Sequence, residues 1–395
     1  MIDRPVLNKV DFDNTSIAFG GKSDAELRKT YWLFKMINSN FLVKVGPPIT
    51  NFAMKLHLPI TGLIKSTIFN HFCGGETIED CIKTIAKLNE YKIGTILDYS
   101  VEGEKTETGF DACTTEIIQT ITRAAEDKAI PFCVFKVTGL ARFGLLEKLD
   151  ANEKLTNSEE EEFSRIKTRV NKICKAAFDV GVPTFIDAEE TWVQNTIDAL
   201  AYEMMELYNK ERAIVYNTIQ MYRTQGLTLL HDAYQKALSE SYFLGIKLVR
   251  GAYMEKERAR AQKFGYASPI QPNKAATDKD YDEALKFCAH NHTKIALCAG
   301  THNEISSKLL VNLMDENAIE SKSQHMYFSQ LLGMSDHITY NLANAGYNVA
   351  KYVPYGPVRS VLPYLFRRAN ENTAISGQMS RELSLIIEER KRRKK

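Results

Sequence analysis

The stretch IGTILDYS, at residues 93–100, is a short apolar run, and a long helical pattern, DACTTEIIQTITRAAEDKA, follows it at residues 111–129. The same order returns at PFCVFKVTG, residues 131–139, which precedes a second helical pattern at residues 159–181. The chain continues to alternate in this way, and eight strand-like runs can be counted, each followed by a helix. The feature that decides the fold is therefore a repeated strand–helix unit.

This repeated unit is compatible with two architectures. Strands that alternate with crossover helices form parallel sheets, and eight units in roughly 280 residues are what a closed (β/α)8 barrel requires. A doubly wound open sheet is the alternative, but the sequence lacks the G-x-G-x-x-G fingerprint of dinucleotide-binding open sheets. We predict an α/β fold, a TIM-type barrel at residues 91–375, with an N-terminal helical arm at residues 1–90 and a C-terminal helix and basic tail at residues 376–395.

The composition is that of an ordinary globular protein, with 395 residues of which 44% are hydrophobic and 25% charged. The formal net charge is +2, yet the last six residues, RKRRKK, carry six positive charges, so the rest of the chain is mildly acidic. A nucleic-acid-binding domain would have a different charge distribution. No run of about 18 uncharged apolar residues occurs, so no transmembrane helix is expected. Neither a secretory signal nor a transit peptide is visible, which favours a bacterial cytoplasm.

Metal and phosphate motifs are weak in this sequence. The seven cysteines are scattered without CxxC spacing, which predicts reduced thiols in an intracellular protein and no zinc site. HNH, at residues 290–292, falls at a helix-to-strand junction away from the predicted site. AFGGKS, at residues 18–23, ends like a P-loop, but the first glycine of that motif would fall on Ser16. We predict no metal and treat the P-loop match as accidental.

Polar side chains follow the apolar runs at the points where the strands should end. In a TIM-type barrel the chemistry collects at the C-terminal ends of the strands. The residues at these positions are Asp98, Lys136, Asp187, Gln220, Lys247 with Arg250, Thr301 with His302, Gln330 and Tyr352. A rim that served only packing would carry more small and capping residues, so this clustering predicts an enzyme.

Two lysines at strand ends leave more than one reaction class open. If Lys136 or Lys247 points into the barrel mouth, a desolvated amine there could form a Schiff base, as in an aldolase. An ion pair between Lys136 and Asp187 would instead keep that lysine charged. Lys247 and Arg250 together favour a positive cluster that faces an anion or an electron-rich cofactor. A non-catalytic binding barrel is a third possibility.

The stretch YLFRRANEN, at residues 364–372, places two arginines side by side on a predicted helix. Tyr364, Arg367, Arg368 and Glu371 share one face of that helix. Two guanidinium groups on one face repel each other unless an anion lies beside them, and a carboxylate suits their planar geometry best. The alternative is a solvated basic stripe.

Three motifs give this sequence a resemblance to a known family. They are KLVRGAY at residues 247–253, GTHN at residues 300–303 and KYVPYGPVRSVLPYLFRRANEN at residues 351–372. Here the sequence resembles the proline dehydrogenase family, the flavoenzymes that oxidise L-proline, and the resemblance extends from about Ile93 to Asn372. It implies a distorted (β/α)8 barrel that holds FAD at its mouth.

The resemblance also implies a branch of the family. The order of lysine and arginine in KLVRGAY resembles the monofunctional eukaryotic-type branch, whereas bifunctional bacterial members resemble RLVKGAY. The chain is too short for the second, aldehyde-oxidising domain of those bifunctional members, so the next reaction is expected to belong to another protein.

The resemblance assigns substrate-binding roles by matching positions. Arg367 and Arg368 would bind the substrate carboxylate, and Glu371 would pair with the arginines. Lys136, in FKVTG, matches a lysine at the same carboxylate, and Asp187, in IDAEE, matches its acidic neighbour.

Further positions match residues around the substrate ring and the cofactor. Tyr253 and Leu332 match residues that cover the ring, and Tyr352 matches a tyrosine found where proline is preferred over hydroxyproline. Relatives that oxidise hydroxyproline tend to carry a smaller residue there, so a hydroxyproline dehydrogenase is the alternative within the family. The positions that match FAD contacts are Gln220, Lys247, Arg250, Gly251, Ala252, Tyr253, Thr301, His302, Asn303 and Gln330.

The reaction implied by the resemblance is hydride transfer from L-proline to FAD, which gives 1-pyrroline-5-carboxylate. In this family the electrons usually pass to a membrane quinone, so peripheral contact with a membrane is expected. The RKRRKK tail suits anionic lipids, and the alternative is a disordered solubilising tail. The expected location is a bacterial cytoplasm with peripheral contact to the inner membrane, or alternatively the matrix side of the mitochondrial inner membrane.

Overall fold

The computed structural model describes residues 10–37, 61–100, 104–374 and 378–394; within these ranges it leaves out the side chains of residues 63, 369–374 and 378–380. The apolar segment predicted to pack as part of the N-terminal arm therefore lies partly outside the described residues. No helix in the described ranges is long and apolar enough to cross a membrane.

Eight parallel strands form a closed barrel in chain order, with β1 paired to β8 as well as to β2. The strands are β1 (Gly94–Tyr99), β2 (Phe132–Phe135), β3 (Thr184–Ile186), β4 (Val215–Gln220), β5 (Leu244–Val249), β6 (Ile295–Gly300), β7 (Met326–Leu331) and β8 (Val349–Tyr355). The predicted barrel is confirmed, and the open-sheet alternative is wrong because the first and last strands are hydrogen-bonded neighbours.

Helices surround the barrel and follow each strand. Before the barrel come α1 (Thr15–Ala18), α2 (Asp24–Ile37), α3 (Thr61–Ile64), a π-helical turn (Lys65–Phe69), α4 (Asn70–Phe72) and α5 (Ile78–Glu90). The helices after β1 to β4 are α6 (Glu107–Glu126), α7 (Phe143–Asp150), α8 (Asn157–Val180), α9 (Thr191–Tyr208) and α10 (Gly226–Ser239). The remaining helices are α11 (Met254–Phe264), α12 (Lys274–His290), α13 (Glu304–Glu316), α14 (Asp336–Asn344), α15 (Val358–Ala374) and α16 (Gln378–Arg392).

Helix α8 shows how local sequence sets these boundaries. Thr156 and Glu159 form a reciprocal capping box at its start, so two backbone N–H groups that the helix leaves unpaired are satisfied. Gly181 ends the helix in the left-handed conformation, with φ of +71°, which a glycine adopts without steric cost. The acidic run at residues 159–162 lies in the first turns, where it also suits the positive end of the helix dipole.

The barrel interior is filled by side chains that alternate along each strand. Phe132 stacks on Phe185 with ring centroids 4.5 Å apart, and Tyr327 meets Phe132 edge-on at 4.7 Å. Small residues such as Ala296 and Ala350 complete this layer. Because strand side chains alternate with a period of two, the inward positions nearer the C-terminal ends carry the polar residues of the site.

A second apolar cluster lies outside the barrel, around α15. It joins Leu33 and Phe34 of α2, Phe69 of the π-helical turn, Leu365 of α15 and Ile386 of α16. The N-terminal arm and the C-terminal helix, predicted as separate regions, therefore pack against the same helix, the one that carries the two arginines. The exact boundaries of the three predicted regions stay a prediction.

The basic C-terminal residues are largely engaged within the protein. Arg392 and Arg393 both form ion pairs with the buried Glu389, and Arg393 also donates to the carbonyl oxygen of Phe19 at 2.8 Å. The guanidinium of Arg390 lies 4.4 Å from the ring centroid of Tyr31. The prediction of a disordered tail is therefore wrong for these arginines. Arg390 and Arg393 connect the C-terminal segment to the N-terminal arm.

Candidate active site

A cavity opens at the C-terminal ends of the strands, with about 1470 Å³ of empty space that includes space open to solvent. It brings together most of the residues selected from the sequence. These are Lys136, Asp187, Gln220, Lys247, Arg250, Gly251, Ala252, Tyr253, Thr301, His302, Asn303, Gln330, Tyr352, Arg367 and Arg368. The side chain of Glu371 lies outside the described part of the chain.

Charged groups of alternating sign form the floor of the cavity. Lys247 forms an ion pair with Asp187 and donates to the hydroxyl of Tyr352 at 2.5 Å. The Lys136 amine lies 3.6 Å from Asp98 and 3.8 Å from Asp187. The sequence suggested that Asp187 pairs with Lys136; the structure gives Asp187, which follows β3, a closer partner in Lys247 on β5.

Tyr352 is the buried uncharged member of this floor. Burial and the neighbouring Asp187 carboxylate raise its pKa well above the ordinary value, so the phenol stays protonated at neutral pH. The Lys247 amine lies 4.6 Å from the centroid of the same ring, a cation–π contact. The lysine is thus held between a carboxylate and an aromatic face.

Arg250 is fixed by three partners just after β5. It donates to Asp278 at 2.7 Å, to the hydroxyl of Thr301 at 2.7 Å and to the hydroxyl of Ser306 at 2.9 Å. Its guanidinium also lies 4.3 Å from the ring centroid of Tyr281. An arginine held at every nitrogen and on one face has little rotamer freedom left, so its charge is presented to the cavity in one position.

Gly251 lets the backbone turn sharply beside this arginine. Its φ is +131°, and a Cβ atom there would lie 2.5 Å from ring atoms of Tyr222. Any other residue would be strained and would collide with this buried ring. The glycine of RGAY is therefore required by the fold of the loop.

Two glutamines at strand ends have amide groups oriented by neighbouring backbone. Gln330 donates to the carbonyl oxygen of Thr301 at 3.1 Å and accepts from the hydroxyl of Thr339 at 2.8 Å. Gln220 donates to the carbonyl oxygen of Glu189 at 3.1 Å, which leaves its Oε1 buried with no hydrogen-bond partner within the described residues. A buried acceptor without a donor is costly, so this atom indicates a bound group that carries an N–H or O–H.

His302 enters the cavity as a neutral imidazole. Burial, together with the positive charges of Lys351 and Arg368, lowers its pKa to about 3. Its Nδ1 lies 3.0 Å from the hydroxyl of Ser335, which follows β7. The ring can therefore hydrogen-bond to a ligand without adding charge to the cavity.

Arg367 and Arg368 come from α15, on the opposite side of the cavity from the strand ends. Arg368 is buried, with a side chain near the ring of Tyr364 at 5.0 Å from its centroid, and Arg367 lies 6.0 Å from the ring centroid of Tyr253. Both arginines line the cavity, so the alternative of a solvated basic stripe is wrong.

The position of Leu332 corrects the sequence-based assignment. Leu331, the last residue of β7, packs with the barrel interior and lines the cavity, whereas Leu332 lines a neighbouring cavity on the outer side. Leu332 lies one residue beyond the last residue of β7, and its backbone N–H donates to the carbonyl oxygen of Tyr352 at 2.8 Å. Leu331 is therefore the leucine that can cover a substrate ring.

Some lining residues had no role in the sequence-based assignment. Asp98 was noted at a strand end, and its 2.7 Å hydrogen bond from Ser100 fixes the carboxylate beside Lys136. Ser329 could have been found from its alternation with Leu331. Met334, in the loop after β7, and Lys274, the first residue of α12, also line the cavity, but no periodicity marks them.

Within the described ranges, no group of three or more His, Cys, Asp or Glu side chains could hold a metal ion. HNH forms no such group: the Nδ1 of the exposed His290 lies 2.7 Å from the carbonyl oxygen of Lys286, at the end of α12. Cys298, on β6, is buried, and burial raises its pKa to about 11, which does not suit a nucleophilic thiolate.

With this geometry established, comparison with known proteins decides the family. A family model described as "Proline dehydrogenase" matches residues 81–381. The chain belongs to the proline dehydrogenase family. As a member of the proline dehydrogenase family, it is an enzyme of proline oxidation, and its arginine pair and strand-end cluster lie inside the matched region.

Two relatives of this proline dehydrogenase family member illustrate the match. "Proline dehydrogenase 1, mitochondrial" of Dictyostelium discoideum is 34% identical over 98% of this chain and 75% of its own length. "Carbapenem antibiotics biosynthesis protein CarD" of Pectobacterium carotovorum subsp. carotovorum is 33% identical over 84% of this chain and 86% of its own length.

Solved structures of proline utilization A (PutA) share the fold. The structure from Bdellovibrio bacteriovorus, inactivated by N-propargylglycine, superposes with a TM-score of 0.70 at 19% identity, over 90% of this chain and 38% of that one. A PutA structure with proline bound in remote sites gives a TM-score of 0.66 at 22% identity, over 79% of this chain and 32% of that one. The chain spans about a third of these larger proteins, and at such low identity the likeness concerns the fold alone.

Proposed function

We propose that this enzyme oxidises L-proline to 1-pyrroline-5-carboxylate with FAD as its bound cofactor and passes the electrons to a membrane quinone. The observation that carries this proposal is the arrangement of the cavity. A pair of arginines on α15 lines the same cavity as fixed lysines, carboxylates and a tyrosine. One side suits a carboxylate, and the other suits a planar, electron-rich ring.

The residues present fit a flavin. The buried Oε1 of Gln220, with no hydrogen-bond partner in the described chain, needs a donor, and the imide N–H of a flavin ring is one. Arg250 and Lys247 supply positive charge, and Gly251 leaves the backbone open to close approach. We infer that these residues, with Gln330, His302 and the neighbouring strand-end groups, would hold the FAD. When bound, FAD supplies the hydride acceptor.

The arginines would bind and orient the substrate. Arg367 and Arg368 offer planar guanidinium groups to the proline carboxylate, and Lys136 adds a third cation on the floor side. Asp98 and Asp187 lie within 3.8 Å of the Lys136 amine, which favours its charged form.

The pyrrolidine ring would then be enclosed by apolar and aromatic surface. Tyr253, Leu331 and Tyr352 line the same cavity and would exclude water from the reacting carbon. Proline loses a hydride from the ring carbon next to nitrogen and a proton from the nitrogen itself, which leaves a carbon–nitrogen double bond. The role of these residues is to fix the position of that carbon, and such positioning can supply a large part of a rate enhancement.

The aldolase alternative is not supported by the environment of the lysines. Lys247 is paired with Asp187, and Lys136 has two carboxylates within 3.8 Å, so each amine already has an ion-pair partner. A Schiff base requires a neutral amine. The family assignment also argues against an aldolase.

The acceptor and the location are also part of the proposal. A membrane quinone requires contact with a membrane surface, and the basic residues near the C-terminus that α16 does not use, Lys391 and Lys394, are exposed. Several relatives, including those of Dictyostelium discoideum and Arabidopsis thaliana, are named mitochondrial proteins. These names favour the matrix side of the mitochondrial inner membrane over a bacterial cytoplasm.

The test is the visible spectrum of the purified protein before and after L-proline is added without oxygen. We expect a yellow protein whose flavin absorbance bleaches, and a bleaching rate that rises with pH as the substrate amine loses its proton. Arg368→Met is the matched variant: it should keep the flavin spectrum and need far more proline for bleaching. A protein that stays colourless after FAD is supplied would overturn the proposal.

A further inference from the structure

The C-terminal helix α16 reaches the cofactor side of the cavity through one buried carboxylate. Glu382 is 4% exposed, and it lies just past the residues that the family model matches. Its Oε1 accepts a hydrogen bond of 2.8 Å from the backbone N–H of Ser335, at the start of α14. The contact joins two segments that are 47 positions apart in sequence.

Ser335 is held in a conformation that residues with a side chain rarely adopt. Its φ is +52° and its ψ is +43°, in the left-handed region, and it is completely buried. This conformation is strained for a residue with a side chain and persists only where neighbouring groups fix it. Here Glu382 binds the N–H of Ser335, while the N–H groups of Ile338 and Thr339 bind its carbonyl oxygen.

Two residues that line the cavity take their orientation from Ser335. Its hydroxyl lies 3.0 Å from Nδ1 of His302. The hydroxyl of Thr339 contacts the carbonyl oxygen of Ser335 at 3.3 Å and donates to Oε1 of Gln330 at 2.8 Å. A shift of the Ser335 backbone would therefore move both the imidazole and the glutamine amide.

The same turn is fixed from the barrel side by a different residue. The amine of Lys351, on β8, donates to the carbonyl oxygen of Met334 at 2.5 Å. Lys351 thus holds the carbonyl before Ser335, and Glu382 holds the N–H of Ser335 itself. Of these two contacts, only the second depends on the docking of α16.

We propose that Glu382 is a positioning residue for the cofactor: by holding the backbone of Ser335, it keeps His302 and Gln330 oriented towards bound FAD. The proposal rests on the proposed function, because it assumes that FAD occupies the cavity. Glu382 touches neither substrate nor cofactor, so its effect is exerted through Ser335.

The experiment measures the FAD dissociation constant and the flavin absorption spectrum of three variants, and the hydrogen exchange of residues 331–339 in protein without FAD. Glu382→Ala removes the acceptor, and we expect FAD binding to weaken roughly tenfold, with a shifted flavin spectrum and faster exchange in this segment. Glu382→Gln keeps an acceptor oxygen and should restore binding to within roughly twofold of the wild type. Glu388→Ala, an exposed glutamate on the same helix, is the matched control and should change nothing.

The outcomes separate this inference from the proposed function. If the wild type binds FAD and Glu382→Ala binds it equally well, the positioning role is wrong. If the wild type does not bind FAD, the proposed function fails. In that case, unchanged hydrogen exchange of residues 331–339 in Glu382→Ala would also show that Glu382 does not fix the backbone of Ser335. If Glu382→Ala does not fold, Ser335→Ala, which removes only the hydroxyl beside His302, must weaken FAD binding, or the inference is overturned.

Discussion

Two buried lysine–aspartate pairs lie on the two faces of the same barrel, and they serve different purposes. Lys247 and Asp187 face inward and line the cavity, together with the hydroxyl of Tyr352. Lys351 and Asp336 face outward, with 2.9 Å between amine and carboxylate, and Lys22 approaches the same carboxylate at 3.0 Å. Both pairs line cavities, but protein closes the outer pair more fully: the side chains of Lys351 and Asp336 are 1% and 9% exposed, against 5% and 15% for Lys247 and Asp187.

The electrostatics of the outer pair follow from this closure. Burial alone would raise the pKa of Asp336, but the two lysines lower it well below its usual range. Burial lowers the pKa of Lys351, and its pair with Asp336 opposes that shift only in part. A buried ion pair of this kind is costly to break by removing one partner, because an uncompensated charge remains. The outer pair should therefore matter for stability and the inner pair for the reaction.

Asp336→Ala should produce the largest effect. It leaves Lys351 and Lys22 without their shared carboxylate, so we expect the free energy of unfolding to fall by about 3–5 kcal/mol. Asp187→Ala is the matched comparison. It should cost less stability, because Asp187 is the more exposed of the two carboxylates, and it should lower the rate of flavin reduction. Urea unfolding of both variants measures the difference. Equal losses of stability would show that the two pairs are not distinct.

Glu189 offers a further comparison, since it is a buried carboxyl group whose hydrogen bonds come from Thr138 rather than from a lysine. Burial raises its pKa to about 7, although the bonds from Thr138 oppose the shift. In the unfolded chain this group ionises near its ordinary value of about 4.3. Between the two values the native state holds the proton and the unfolded state does not, so stability contributed by Glu189 falls as pH rises through this window.

Glu189→Gln should therefore gain stability relative to the wild type as pH rises from about 4.3 to 7, by up to about 3 kcal/mol, and keep a constant advantage above that range. Urea unfolding at a series of pH values measures the difference between the two proteins, which cancels the titration of other groups. Thr138→Val removes the hydroxyl donor that lowers this pKa, so in the wild-type background the fall should extend to higher pH. A difference that does not vary with pH would contradict the raised pKa.

The barrel and most of the site could be predicted from the sequence because both depend on local periodicity. Short apolar runs alternate with helices, and in such a barrel the polar residues after each run must meet at one end, which is why Lys136, Gln220 and Tyr352 line one cavity. The arginine pair could be assigned to the site because Arg367 and Arg368 lie on one face of a predicted helix, where the two guanidinium groups repel each other unless an anion binds beside them.

What the sequence could not give depends on register and on contacts between distant segments. The choice between Leu331 and Leu332 turns on a shift of one residue, which exchanges the faces of a strand. The closer partner of Asp187 is Lys247, 60 positions away, and local spacing carries no signal for that pairing. The same holds for Glu382, whose role appears only when α16 is packed beside α14.

The smallest expected effect concerns Tyr352, the neutral member of the inner group. Tyr352→Ser would open space beside the substrate ring, and we expect the ratio of kcat/KM for proline to that for hydroxyproline to fall roughly tenfold, as typical for one changed contact in a pocket. Tyr352→Phe is the matched control: it keeps the ring and loses only the hydroxyl that contacts Lys247, so the ratio should stay near the wild-type value while both rates decline. Steady-state assays with the two substrates measure the ratio. If the phenylalanine variant shifts the ratio as far as the serine variant does, selectivity depends on the hydroxyl and its bond to Lys247 rather than on the volume of the ring.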